Sequence, residues 1–275
     1  MENNILGTNA VQPGKRPAIE ARDLYFAYGK NQILKGIDLK IEKGKITTIM
    51  GANGCGKSTL FSLITGSLTP KKGNIFIEGK NIKNLSLREF AKRAAIVHQY
   101  NSAQGDITVK QLVSYGRTPY ISFMSNDKEE DERMIAWAME VTGITEFSER
   151  EISRLSGGQR QRVWIAMALA QGTKILFLDE PTTYLDIRYQ IEILELVKKL
   201  NREFGMTVIM VLHDINQAIN YSDAVAGLYN GRIQAFGDPR EIITEELIEK
   251  LYGINLQVES IEERKFVLPY LQDHE

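Results

Sequence analysis

The strongest constraint on the fold of this chain is a junction near its first fifth. The compact apolar run Lys45–Met50 (KITTIM) leads directly into Gly51-Ala-Asn53-Gly54-Cys55-Gly56-Lys57-Ser58-Thr59, and Lys57–Thr65 then reads as a helix stopped by Gly66. Strand, glycine-rich turn and helix in that order fit the phosphate-binding pattern G-x-x-x-x-G-K-[ST] in full. Glycines let the backbone wrap an anion closely, because a Cβ would block the approach. The amides at the helix start point at that anion, and the helix dipole adds roughly 0.3 to 2 kcal/mol. Lys57 is placed to reach terminal phosphates, and the Ser58 hydroxyl to ligate magnesium. Cys55 has two readings: a small residue that fits the loop, or a thiol made reactive by the helix start.

The rest of the chain is built around that unit. Ile19–Tyr28 and Ile33–Ile41 are β-branched-rich runs broken at Gly29, the pattern of antiparallel strands, and Gly73–Glu78 adds another strand ended by Gly79. From about Ser86 to Gln171 the pattern turns mostly helical. There, Asp127–Val141 opens on charges and sets Met134, Trp137, Ala138 and Val141 on one stripe, a packed helix face. Ile175–Leu178, Thr207–Leu212, Ala224–Tyr229 and Arg232–Phe236 read as buried strands. Arg188–Phe204 reads as a helix with Ile193, Val197, Leu200 and Phe204 along one side. Strands alternating with helices imply a largely parallel sheet covered on both faces, an α/β fold.

Two further motifs carry chemistry. The strand Ile175–Leu178 ends abruptly in Asp179 and Glu180, which places two carboxylates at the sheet edge where the glycine-rich loop also lies. Asp179 suits a metal, directly or through water, and Glu180 the orientation and polarisation of an attacking water. Further back, Leu155-Ser156-Gly157-Gly158-Gln159 opens the helical run Gln159–Gln171. Ser156 is a helix cap, and the bare amides behind it make a second anion site on the same chain.

GANGCGKST, LSGGQRQR and the strand ending in Asp179-Glu180, in that order, resemble the ABC ATPase family, and the match runs from about Ala18 to Pro239. The resemblance implies an α/β P-loop NTPase of ABC type, with a mixed sheet core, an antiparallel β lobe and a helical lobe. It implies ATP and magnesium as ligands. ATP would be bound by Gly51, Asn53, Gly54, Cys55, Gly56, Lys57, Ser58 and Thr59 of one copy and by Ser156, Gly157, Gly158 and Gln159 of a second. By the same resemblance Tyr28 stacks on adenine, although a strand-end aromatic also fits a core. Gln99 joins the lobes and senses magnesium beside Ser58 and Asp179. Asp186 communicates across the dimer, although it also suits a helix cap. His213 clamps the γ-phosphate, although a lone histidine there also suits a structural role. Lys57, Gln99, Glu180 and His213 form the implied catalytic set.

Within the family, Gly105–Val109, Tyr115–Tyr120, Gln159–Gln171 and Asp179–Leu194 look like ferric-siderophore importer ATPases, with the haem and cobalamin importers close by. His98 departs from the proline often found before that glutamine. The branch implies a homodimer docked beneath membrane permease subunits at the cytoplasmic face, served by an external binding protein, with Thr108–Pro119 near the docking groove. ABC-type heads in chromosome and repair proteins carry a long coiled coil, and Tyr100–Leu155 lacks sustained heptads.

Composition narrows the remainder. Lys plus Arg number 34 against 35 Asp plus Glu, so no basic surplus argues for nucleic acid. A single cysteine rules out an intramolecular disulfide and suits a reducing compartment. Positions 1–17 read as a loose polar tail, 18–240 as the ATPase domain with its helical lobe over about 86–171, and 241–275 as an extension packed on the domain.

Overall fold

The computed structural model describes residues 16–103, 106–121, 127–262 and 264–271. Most of the expected N-terminal tail and Gly105 therefore lie outside the described residues. The chain starts with β1 (Ile19–Tyr28) and β2 (Asn31–Ile41), then β3 (Ile46–Met50), α1 (Lys57–Ile64), β4 (Lys72–Ile77) and β5 (Lys80–Asn81). The first sheet runs β2-β1-β4-β5 and is antiparallel throughout.

Next come α2 (Leu87–Ala91), β6 (Ala94–Val97), α3 (Val109–Ser114), α4 (Lys128–Val141) and α5 (Gly157–Ala170). The chain then alternates through β7 (Ile175–Leu178), α6 (Ile187–Phe204), β8 (Thr207–Val211), α7 (Ile215–Tyr221), β9 (Ala224–Tyr229) and β10 (Arg232–Gly237). The second sheet runs β10-β9-β3-β8-β7-β6, with all pairs parallel except β10 on β9. The segment 86–171 is thus not wholly helical, since β6 inside it is the edge strand of this sheet. β10 is half-exposed along most of its length, unlike the buried strand expected there.

Alternation along the central strands explains why this sheet is covered twice. Ile175 and Phe177 of β7 pack with Leu60 and Phe61 of α1 and with the antiparallel lobe. Leu176 and Leu178 face the other way, into the core shared with α3, α4, α5 and α6. Phe61 meets Phe177 edge to face at 5.8 Å. On α4 the buried line is Ile135, Ala138 and Met139, while Met134, Trp137 and Val141 flank it, half-buried. Among the described residues no helix is long and apolar enough to cross a membrane.

The C-terminal part belongs to the same core. α8 (Pro239–Ile242) and α9 (Glu245–Tyr252) follow β10, and α9 buries Leu247, Ile248 and Leu251. A hairpin of β11 (Leu256–Ile261) and β12 (Arg264–Leu271) ends the described residues, a feature absent from the sequence reading. Asn216 of α7 holds it, donating to the Val267 carbonyl at 2.9 Å and accepting from the Val267 amide at 2.8 Å.

Candidate active site

Four adjacent parallel strands, β3-β8-β7-β6, deliver their carboxyl ends to one edge. β3 gives Gly51–Ser58, β8 gives His213, β7 gives Asp179 and Glu180, and β6 gives His98 and Gln99. Residues far apart in sequence meet because the strand order interleaves them, at the place where open α/β sheets hold ligands.

The glycine-rich loop is fixed by a close approach. Gly51 has φ 145°, and a Cβ on it would lie 2.1 Å from the Leu228 carbonyl oxygen and 2.9 Å from the Cys55 sulfur. Lys57 is buried, and its ammonium donates to the Gly51 and Ala52 carbonyls at 2.7 and 3.0 Å. In this arrangement the cation that the pattern assigns to phosphate is held by the loop itself. Cys55 is buried, and burial pushes its thiol above the ordinary range despite the neighbouring Lys57 charge. Of the two readings of Cys55, its burial beside Gly51 supports the small residue that fits the loop.

The Glu180 carboxylate is the hub of the edge. Gln99 Nε2 donates to Oε2 at 2.5 Å, Thr183 Oγ1 to the same oxygen at 3.1 Å, and His213 Nε2 meets Oε1 at 2.7 Å. Glu180 itself holds φ 50°, a left-handed backbone for a non-glycine residue at the strand end. Beside it, burial and then the Glu180 charge push the Asp179 carboxyl above its usual range, with His98 and His213 pulling the other way. Asp179 and Glu180, with the Gln99 side-chain oxygen beside Glu180, are hard oxygen donors of the chemistry that suits magnesium.

The start of α5 departs from the sequence reading in one respect. The Ser156 hydroxyl accepts from the Gln159 amide, and the Gln159 side chain accepts from the Ser156 amide. This capping box satisfies two donors that the sequence reading left bare, so only the Gly157 and Gly158 amides remain for a ligand. Gly158 also has a packing reason, since a Cβ there would lie 2.3 Å from the Tyr189 ring. A Cβ on Gly157 would meet Leu185 in ordinary contact at 3.5 Å. Asp186 caps α6 by accepting from the Tyr189 amide at 3.1 Å. Tyr28 is 54% exposed and meets Phe26 edge to face, so it stands at the surface and is not a core aromatic.

Comparison with known proteins matches residues 34–183 to the family model described as ABC transporter. The chain belongs to the ABC transporter family. This ABC protein is 44% identical to the ferric enterobactin transport ATP-binding protein FepC of Escherichia coli over 240 residues, 87% of this chain and 89% of FepC. It is also 44% identical to the iron(3+)-hydroxamate import ATP-binding protein FhuC of Bacillus subtilis, over 88% of this chain and 90% of FhuC. Among solved structures, a chain of an ABC transporter in an inward-facing conformation aligns with TM-score 0.80 and 29% identity, covering 94% of this chain and 99% of that one.

The ABC fold also sorts the stretch Thr108–Pro119. Val109, Leu112, Val113, Gly116 and Arg117 are buried, and Arg117 pairs with Asp131 at 2.7 Å and donates to the Ala170 carbonyl at 2.9 Å. Only Lys110, Gln111, Tyr115 and Thr118 are exposed there. Sequence reasoning missed Thr183 and Tyr184. Both lie between Glu180 and Asp186, so a hydroxyl three residues after the strand-end carboxylate was the available signal.

Proposed function

We propose that this chain is the ATP-hydrolysing subunit that powers import of an iron–siderophore complex through a membrane permease. It works as one half of an ATP-sandwich dimer at the cytoplasmic face, fed by an external binding protein. The observation that carries the reading is the convergence of Gly51–Ser58, Gln99, Asp179–Glu180 and His213 on one sheet edge. Equal identity to an enterobactin and a hydroxamate ATPase supports a siderophore cargo while leaving its chelating chemistry open. Haem or cobalamin would be the alternative cargo.

The residues divide the work. The amides of the glycine-rich loop cradle the ATP phosphates, and Lys57 swings from the Gly51 and Ala52 carbonyls onto the β- and γ-phosphates. Tyr28 stacks on adenine. Asp179, Ser58 and the Gln99 carbonyl would hold magnesium, which when bound neutralises charge on the phosphate oxygens. Glu180 Oε1 carries one hydrogen bond, so a lone pair remains to take a proton from water attacking the γ-phosphorus as the β–γ bridging bond breaks. His213 then shares that carboxylate with the γ-phosphate. The Gly157 and Gly158 amides would close over the ATP of a partner copy.

The test compares the wild-type chain with Glu180→Gln. MgATP hydrolysis is expected to fall by at least about a hundredfold, with ATP binding retained and an ATP-dependent dimer seen by size-exclusion chromatography. Equal turnover by both would remove Glu180 from the mechanism. Cargo is tested by uptake of labelled ferric siderophores, haem and cobalamin into cells that carry only the variant: loss confined to siderophores supports the assignment, and loss of haem or cobalamin uptake replaces it.

A further inference from the structure

Two chain segments meet over Glu180, and they meet twice. The first tie is the carboxylate itself, since Gln99 and Thr183 both donate to Oε2. The next residue on each segment is a tyrosine, and the Tyr100 and Tyr184 hydroxyls lie 2.9 Å apart. Their ring centroids are 6.1 Å apart and tilted by 39°. Tyr100 is 72% exposed and Tyr184 78% exposed, so apolar burial does not hold the rings together, and the hydroxyl contact is what relates them. Tyr184 also has φ 63°, a left-handed backbone that a bulky side chain avoids. Such a conformation persists only where neighbours fix it, and it clusters at working sites.

We propose that the Tyr100–Tyr184 hydroxyl pair is a positioning device for hydrolysis, tying the loop after β7 to the segment after β6 so that neither moves without the other and Glu180 stays aimed. The inference rests on the catalytic reading of Glu180 given above. Tyr100 follows the residue that bridges the lobes, and Tyr184 precedes the cap of α6, so the tie spans the two directions in which this edge can be pulled. Neither tyrosine hydrogen-bonds the glycine-rich loop among the described residues, which separates the effect on turnover from any effect on ATP affinity.

A double-mutant cycle of Tyr100→Phe and Tyr184→Phe tests this, because each change keeps the ring and removes only the hydroxyl. Each single variant is expected to lower kcat for MgATP about three- to tenfold, the size of one hydrogen bond, with KM within about twofold of wild type. The double variant is expected to be no slower than the slower single. Wild-type kcat in both singles, losses that multiply in the double, or a fall in thermal midpoint with kcat unchanged would overturn the proposal. A wild-type chain that binds MgATP and never hydrolyses it would instead overturn the catalytic reading. That outcome is distinguishable from failure of the pair, which shows as wild-type turnover in the Phe variants of a chain that does hydrolyse MgATP.

Discussion

The two helix starts that the sequence marks as anion sites are built in opposite ways. α1 begins at Gly56, in a left-handed conformation with no side-chain cap. Its first-turn amides are therefore unclaimed by any capping side chain, and its own Lys57 folds back onto the loop carbonyls. α5 begins at Ser156 with a complete capping box, so two of its four first amides are spent on its own side chains. The first start is a site that needs a ligand to be satisfied. The second is a capped helix end with two amides left over. Equal-looking motifs thus differ in how much of their hydrogen bonding is left for a partner.

Substitutions can break or sharpen that contrast. The largest effect is expected for Gly51→Ala, where a Cβ meets the Leu228 carbonyl at 2.1 Å and the backbone has φ 145°. Strain and overpacking of this kind cost about 2 to 4 kcal/mol, read from urea unfolding, and ATP binding is expected to be lost with it. Ser156→Ala removes the cap of α5 and is expected to cost about 1 kcal/mol in the same measurement. ATP binding by the monomer should be unchanged, whereas a weakened monomer affinity would mean that the two starts act on one nucleotide.

Asp179→Asn gives a smaller effect of opposite sign. Its carboxyl sits above its ordinary range in the fold, so the ionised form opposes folding. That opposition is absent in acid, where the group is protonated both folded and unfolded, and is complete above the folded value. The nucleotide-free Asn variant is therefore expected to melt higher than wild type near neutral pH, with the gain shrinking as pH falls. The metal-ligand role proposed for Asp179 predicts that MgATP hydrolysis drops in the same variant. The smallest effect concerns Cys55, whose buried thiol is expected to resist iodoacetamide in the folded chain and to react in denaturant, as mass spectrometry would report.

Much of this was legible because the informative residues sit at strand ends. An apolar run that stops at a glycine-rich loop or a pair of carboxylates declares both its burial and its edge, so the positions of Lys57, Asp179, Glu180 and His213 followed from the sequence. β6 was missed because four residues, Ala94–Val97, carry too little periodicity to separate a buried strand from a helix segment. The β11–β12 hairpin was missed because its alternation is blurred by the charged run at its turn. The Tyr100–Tyr184 contact joins positions 84 apart, and no local pattern encodes a pairing between two exposed hydroxyls. Nor does a motif reveal that Lys57 is held by its own loop, because that depends on the bonding left over once the loop has closed.

The strand order has a consequence for how the protein is made. β3 lies between β8 and β9, pairing Ile46 with Val208 and Thr47 with Ala224. The loop that follows it emerges early in synthesis, yet both strands that flank β3 are translated near the end. At about 5 to 20 residues per second the nascent β3 waits on the order of ten to thirty seconds for its neighbours. At the start of that interval its apolar residues have α1 and the antiparallel lobe to rest against. The antiparallel lobe, complete by Asn81 and paired wholly among residues 19–81, is the part able to form first and shelter β3 until the remainder of the chain arrives.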